Sequence, residues 1–427
     1  MLEREEKRLY GLMYILLAGF FLAGLFTQGP ASVGAGLLKI QVHPARLLND
    51  FTLVGGEGAA LVNAAVIAAL GLLLVRINRV RLSGPTLSAV FTIFGFGLFG
   101  KTVFNVLPIV IGVVISARIA GKSFREYILM ALFGTTLGPL VTSLGFETGL
   151  PLLPAMAVAV AGGITVGILL PPVAMIMLRM HQGFSLYNIG LTGGFIAIFG
   201  AAVLTASGRA LNTSLVWNSA PSGLLIYLVP VTSAVLLIFG LLGKAKQNIR
   251  DFIKILTLPG RLPSDFMSST SIRGSLINMG IIGLLTWSYV LLVGGDVNGP
   301  VLGGIFTALG FAAFGKHPKN SWPLIAGVVA ACLVFGKDLA APGPLLAALF
   351  CLTLAPVAGE FGWMAGVIAG FLHLVMVERT GAWHLGINLY NNGFAGGLTA
   401  TLMVAVIEWF RTSRENSRTE PSYRRRR

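Results

Sequence analysis

The sequence predicts an all-α integral membrane protein built from two inverted-topology repeats of about seven membrane segments each, some short or re-entrant. Three observations carry that expectation. Of the 427 residues 55% are hydrophobic and 11% charged, with a mean hydropathy of +0.83, so a water-facing surface could not be covered. Apolar stretches of bilayer length, about 20 residues if helical, recur from end to end. The motifs of the first half also return in the second half.

Fourteen stretches read as crossings: 9–28, 51–75, 83–100, 104–120, 128–146, 151–177, 184–206, 223–243, 275–295, 300–315, 322–336, 343–359, 361–377 and 386–410. The first reads as a permanent anchor, because Glu3, Glu5 and Glu6 crowd its start and no small-residue cleavage site follows. Residues 300–315, 322–336 and 343–359 fall short of a bilayer core at 1.5 Å rise per residue, which makes them candidates for half-helices or re-entrant hairpins. By organisation, residues 1–38 hold the N-terminal end and first segment, and 39–243 the rest of repeat one. Residues 244–274 form a basic linker opening repeat two, 275–410 the rest of repeat two, and 411–427 a basic, disordered tail.

The duplication is explicit. Sliding residues 39–101 forward by 215 positions, without a gap, lays them on 254–316 with 22 of 63 identical. PxRLxxDF (Pro44, Arg46, Leu47, Asp50, Phe51) falls on Pro259, Arg261, Leu262, Asp265 and Phe266. GPxLxxxFTxxGFxxFGK from Gly84 to Lys101 falls on Gly299 to Lys316. Fourteen segments in two copies give seven each, and an odd number turns the second copy upside down relative to the first.

The net charge of +15 is spread as a positive-inside pattern and not as a nucleic-acid patch. Arg76, Arg79 and Arg81, then Lys122 and Arg125, then Lys244, Lys246, Arg250 and Lys254, and finally the tail occupy linkers that alternate hops place on one face. That assigns a multi-pass protein of the cell membrane with both termini cytoplasmic. Its partners are the lipid bilayer and a small solute, with no nucleic acid. Cys332 and Cys351 lie in apolar segments and read as small buried side chains, so no disulfide, metal or cofactor is expected.

The most specific local pattern is HxGxxLYNxGxxGG, at His181 to Gly194 and again at His384 to Gly397. Its glycines free the backbone to bend or let a neighbour approach. Tyr187, Asn188, Tyr390 and Asn391 bring hydroxyls and amides into apolar surroundings, where each needs a partner. They either face an uncharged polar solute across a pseudo-twofold axis or bond unwound backbone and hold the bend. Thr92 with Thr307, and Asn63 with Asn278, are further repeat-related polar pairs and join the candidate substrate-binding set.

YNIGLTGG and YNNGFAGG, each closing one half of a duplicated chain, resemble the YN-containing element of urea transporters. That resemblance implies a trimeric channel with one pore per subunit between inverted halves. The DF-bearing stretches NDFTLVGG and SDFMSSTS do not reproduce that family's asparagine-proline-leucine signature. PxRLxxDF, FGK and HxGxxLYNxGxxGG together are similar to a duplicated prokaryotic membrane family known only as a domain of unknown function, a likeness spanning nearly the whole chain and naming no substrate. A homo-oligomer is expected from the first resemblance and from the glycine-rich helix faces.

Ionisable residues in apolar segments are costly and therefore functional candidates. Lys101 and Lys316 read as an anion-attracting pair at opposite mouths or, more simply, as side chains snorkelling to head groups. Asp50 and Asp265 precede helices and read as N-caps, or as partners of Arg46 and Arg261. Glu57 has no acidic twin, since Ile272 stands there, which makes it a candidate for proton or cation coupling. His181 and His384 open the YN elements and read as functional groups titrating near neutral pH or, more simply, as side chains solvated at the interface. Glu147 and Glu360 lie near helix ends, where solvation is expected. No HExxH, no GxSxG elbow in suitable context and no paired aspartates on one helix are present, so a non-enzyme is expected. A channel or carrier for a small polar solute, urea-like or ionic, leads over an intramembrane enzyme and a non-transporting scaffold subunit.

Overall fold

The computed structural model describes residues 2–208 and 215–419. Among the described residues two series of ten α-helices follow one another in the same order of long and short elements. The first is α1 (Leu2–Gln28), α2 (Pro30–Val42), α3 (Phe51–Val54), α4 (Glu57–Ile77), α5 (Gly84–Gly97), α6 (Val103–Ile119), α7 (Phe124–Gly134), α8 (Gly138–Phe146), α9 (Leu152–His181) and α10 (Asn188–Ala206). The second is α11 (Gly223–Leu241), α12 (Ala245–Ile255), α13 (Phe266–Ser269), α14 (Ile272–Leu292), α15 (Gly299–Phe311), α16 (Pro318–Phe335), α17 (Pro342–Phe350), α18 (Ala355–Phe361), α19 (Trp363–Trp383) and α20 (Asn391–Thr419). Among the described residues 11 helices are long and apolar enough to cross a membrane, with α7–α8 and α17–α18 each counted as one. The shorter apolar helices α5, α6 and α15 complete seven pairs.

End contacts establish the inversion. Gln28, at the end of α1, donates to Gly55 O and accepts from Ala59 N, so α4 starts on the face where α1 finishes. Glu57 at that start binds Ser222, just ahead of α11. By contrast Arg273, at the start of α14, binds Glu5 at the start of α1. Equivalent helices α4 and α14 therefore begin on opposite faces. The helix 223–241, counted from the sequence with the first repeat, packs on α14 as α1 packs on α4 and so opens the second repeat. Its sequence has diverged beyond the reach of the gapless alignment.

Three further expectations are refined. Of the segments read as short, 322–336 belongs to the full-length α16 and 343–359 to an interrupted crossing, while 300–315 is the half-length α15, twin of α5. At 14 and 13 residues these two span about 20 Å. The interrupted crossings break in 3-10 turns at Thr135–Leu137 and Cys351–Leu354, followed by Pro139 and Pro356, which lack the N–H that would continue the α ladder. Where a disordered tail is expected from residue 411, α20 continues to Thr419, and the remaining residues lie outside the described ones.

Candidate functional site

The half-helices end inside the bundle because buried asparagines receive them. Asn63 Nδ2, on α4, donates to Gly97 O (2.7 Å) and Lys101 O (2.8 Å). Asn278 Nδ2, on α14, repeats this with Ala312 O and Lys316 O (both 2.7 Å). Asn63 and Asn278 thus position the half-helices, and neither lines the cavity described below. The capping boxes Thr102–Asn105 and His317–Asn320 then start α6 and α16.

Lys101 and Lys316 are consequently neither at mouths nor at head groups. Both are fully buried, in the turns that follow α5 and α15. Lys101 Nζ donates to Tyr390 OH (2.5 Å) and lies 4.6 Å from that ring's centroid and 5.5 Å from that of Phe96. Lys316 Nζ donates to Tyr187 OH, 4.5 Å from that ring and 5.0 Å from Phe311. Among the described residues no carboxylate lies within 4.0 Å of either Nζ.

The YN elements meet at the centre of the pseudo-twofold. His181 Nε2 pairs with Asn188 Oδ1 (3.0 Å) and His384 Nε2 with Asn391 Oδ1 (3.1 Å), while the asparagine amides donate to Ala174 O and Val377 O. These histidines are buried and not solvated at an interface. The His181–Asn188 and His384–Asn391 pairs hold the turns into α10 and α20. Each turn docks on the broken helix of the other repeat: Leu186 N donates to Thr353 O and Tyr187 N to Thr353 Oγ1, and Leu389 N donates to Thr136 O and Tyr390 N to Thr136 Oγ1. The 3-10 breaks supply those acceptors. Gly190 and Gly393 allow α10 and α20 to cross here, because a Cβ on Gly190 would stand 2.7 Å from Gly393 Cα.

A cavity of about 770 Å³ reaches this crossing. Its deep walls are repeat-related pairs: Thr92 and Thr307, Phe96 and Phe311, Phe133 and Phe350, Leu186 and Leu389, Tyr187 and Tyr390. Its other end is one-sided, formed by exposed Arg179, Gln182 and Pro263 with partly exposed Arg261. Of the predicted contacts Asn188 lines the cavity, whereas Asn391 does not; its neighbour Asn392 does. Thr307 Oγ1 bonds Gly303 O in its own helix, while the buried Thr92 Oγ1 has no hydrogen-bond partner among the described residues.

The opposite side is shut. Arg46 forms an ion pair with Glu147, which is therefore engaged and not merely solvated, and Leu47 N donates to Gly386 O. Asp50 caps α3 through Thr52 N (2.9 Å) and reaches Gly299 N at the start of α15. Asp265 caps α13 through Met267 N (3.0 Å) and reaches Gly84 N at the start of α5. Burial pushes the Asp50 carboxyl up to about 6 against the hydrogen bonds of Thr52, Asn218 and Gly299, and raises Asp265 as well. Glu57, on the shut face, is held by Ser222 far from the cavity, and Glu360 is exposed.

Sequence reasoning missed the phenylalanine pairs and the Thr136–Thr353 pair. Thr136 and Thr353 stand 217 positions apart, so a repeat alignment allowing a two-residue gap would have found them. Neither a curated protein nor a solved structure matches the chain. A family model does match it, over residues 30–206 and 244–409, two blocks that fall one in each repeat: the chain belongs to the family described as "Protein of unknown function (DUF1576)".

Proposed function

We propose that this protein is a transporter that moves a small solute across the cell membrane through a path between its inverted repeats, without enzymatic chemistry. One observation supports this above the rest: a one-sided cavity ends on five pairs of repeat-related side chains at the crossing of α10 and α20. Inverted repeats with a shared central site are the usual architecture for exposing that site to each face in turn. The basic linkers Arg76–Arg81 and Lys122–Arg125, which meet where Arg125 Nη2 donates to Arg79 O, support cytoplasmic termini and a cavity facing the cytoplasm.

Flux into proteoliposomes tests the reading, with urea, acetamide, ammonium, inorganic anions and small carboxylates as solutes. Uptake of one class above empty liposomes is expected, and none for any class defeats it. A Thr92→Cys variant in a background with Cys332→Ala and Cys351→Ala adds a second readout. A membrane-impermeant maleimide is expected to label it from the terminus side at least tenfold faster than from the other.

A further inference from the structure

We infer that the cavity is a binding site for an organic anion, a carboxylate carried on an apolar body, held by the two Lys–Tyr pairs. This names the substrate class of the proposed path and rests on that reading. The first support is charge. Among the described residues no aspartate or glutamate lines the cavity, its open end carries Arg179 and Arg261, and each buried lysine Nζ lies behind one tyrosine and one phenylalanine of its wall. A buried charge is costly without a counter-charge, and an entering carboxylate provides one.

The second support is hydrogen-bond chemistry. Tyr187 OH and Tyr390 OH each accept from a lysine, which leaves each hydroxyl proton to be donated elsewhere. A hydroxyl that accepts from a lysine is a strengthened donor, suited to a carboxylate oxygen. Thr92 Oγ1, buried and without a partner among the described residues, is a third polar group on the same wall. The phenylalanines decide against a bare inorganic anion, since they replace none of its hydration. A volume of about 770 Å³ fits an acid with an apolar ring or chain.

The test uses the full chain purified in detergent at fixed ionic strength, with binding read by calorimetry and by thermal stabilisation. Benzoate is expected to bind at least tenfold tighter than its neutral isostere benzamide, and benzyltrimethylammonium not at all. Lys101→Met and Lys316→Met are each expected to weaken benzoate at least tenfold. Tyr187→Phe and Tyr390→Phe, which keep the ring and the packing, are expected to weaken it about fivefold to tenfold. Decanoate in place of benzoate distinguishes the source: tighter decanoate indicates a lipid-derived acid, tighter benzoate a soluble one, and both retain the carboxylate. The inference is overturned if neither acid binds, if benzamide or the cation matches benzoate, or if folded Phe variants keep full affinity. Benzoate binding without flux of any solute defeats the transport reading alone, whereas urea flux without acid binding defeats this inference alone.

Discussion

The two copies of PxRLxxDF share a motif and live in different surroundings. In the first, Arg46 is 3% exposed and paired with Glu147, Thr142 Oγ1 donates to Pro44 O (2.6 Å), and Leu48 and Asp50 flank Val216 in two backbone hydrogen bonds of 3.0 Å. In the second, Arg261 stacks on Phe184 at 4.1 Å and donates to Gln182 O, and the position matching Thr142 is Gly359, which has no side chain to offer. One loop is a seal and the other a rim of the cavity. The motif sets where the loop lies; its non-repeated neighbours decide whether it is shut.

The comparison breaks or sharpens at five positions. The largest effect is expected from Arg46→Ala, which leaves Glu147 without its cation in a largely buried site and costs about 3 kcal/mol. Arg261→Ala, which loses a partly exposed ring contact and one hydrogen bond, costs only about 1 kcal/mol. Equal losses in denaturant unfolding of the two purified variants would erase the distinction between seal and rim.

A smaller effect is expected from pH. Because the Asp50 carboxyl sits at about 6 in the folded chain and near 3.8 once the chain unfolds, its contribution to stability is full below about 3.8 and is lost as pH rises through about 6. Over that window unfolding should become easier by about 2 kcal/mol, and Asp50→Asn should flatten the profile. Asp265, raised by the same cause, is expected to contribute a shallower slope, so Asp265→Asn should change the profile less. A wild-type profile already flat between pH 4 and 6 would remove Asp50 from the account. The smallest effect is Thr142→Val, about 1 kcal/mol for one buried hydrogen bond, seen as a lower Tm with the cavity face unaltered in maleimide labelling.

Much of the fold was legible in the residues. The 215-residue offset foretold α3 on α13, α4 on α14 and α5 on α15 without a gap, and the N-capping reading of Asp50 and Asp265 matches the structure. The site was legible only in part. Tyr187, Tyr390, Thr92 and Thr307 were named as polar groups in apolar segments, and all four line the cavity. Lys101 and Lys316 were misplaced because an apolar run ending in lysine normally ends at a membrane surface. Only the half-length of α5 and α15, set by Asn63 and Asn278 from other helices, puts those ends inside the bundle. His181 and His384 were misplaced for the same reason, since the asparagines that satisfy them matter only once the turn is built.

Composition, segment length and an internal copy by themselves determined a membrane-embedded helical chain and, through the odd count, two antiparallel halves. These are properties of local hydropathy and of counting, which a chain carries before it folds. Only the tertiary structure decided which end of the cavity stands open and what the lysines touch. Lys101 and Tyr390 lie 289 residues apart, and nothing local to either encodes a contact that exists only when two inverted copies close on one another.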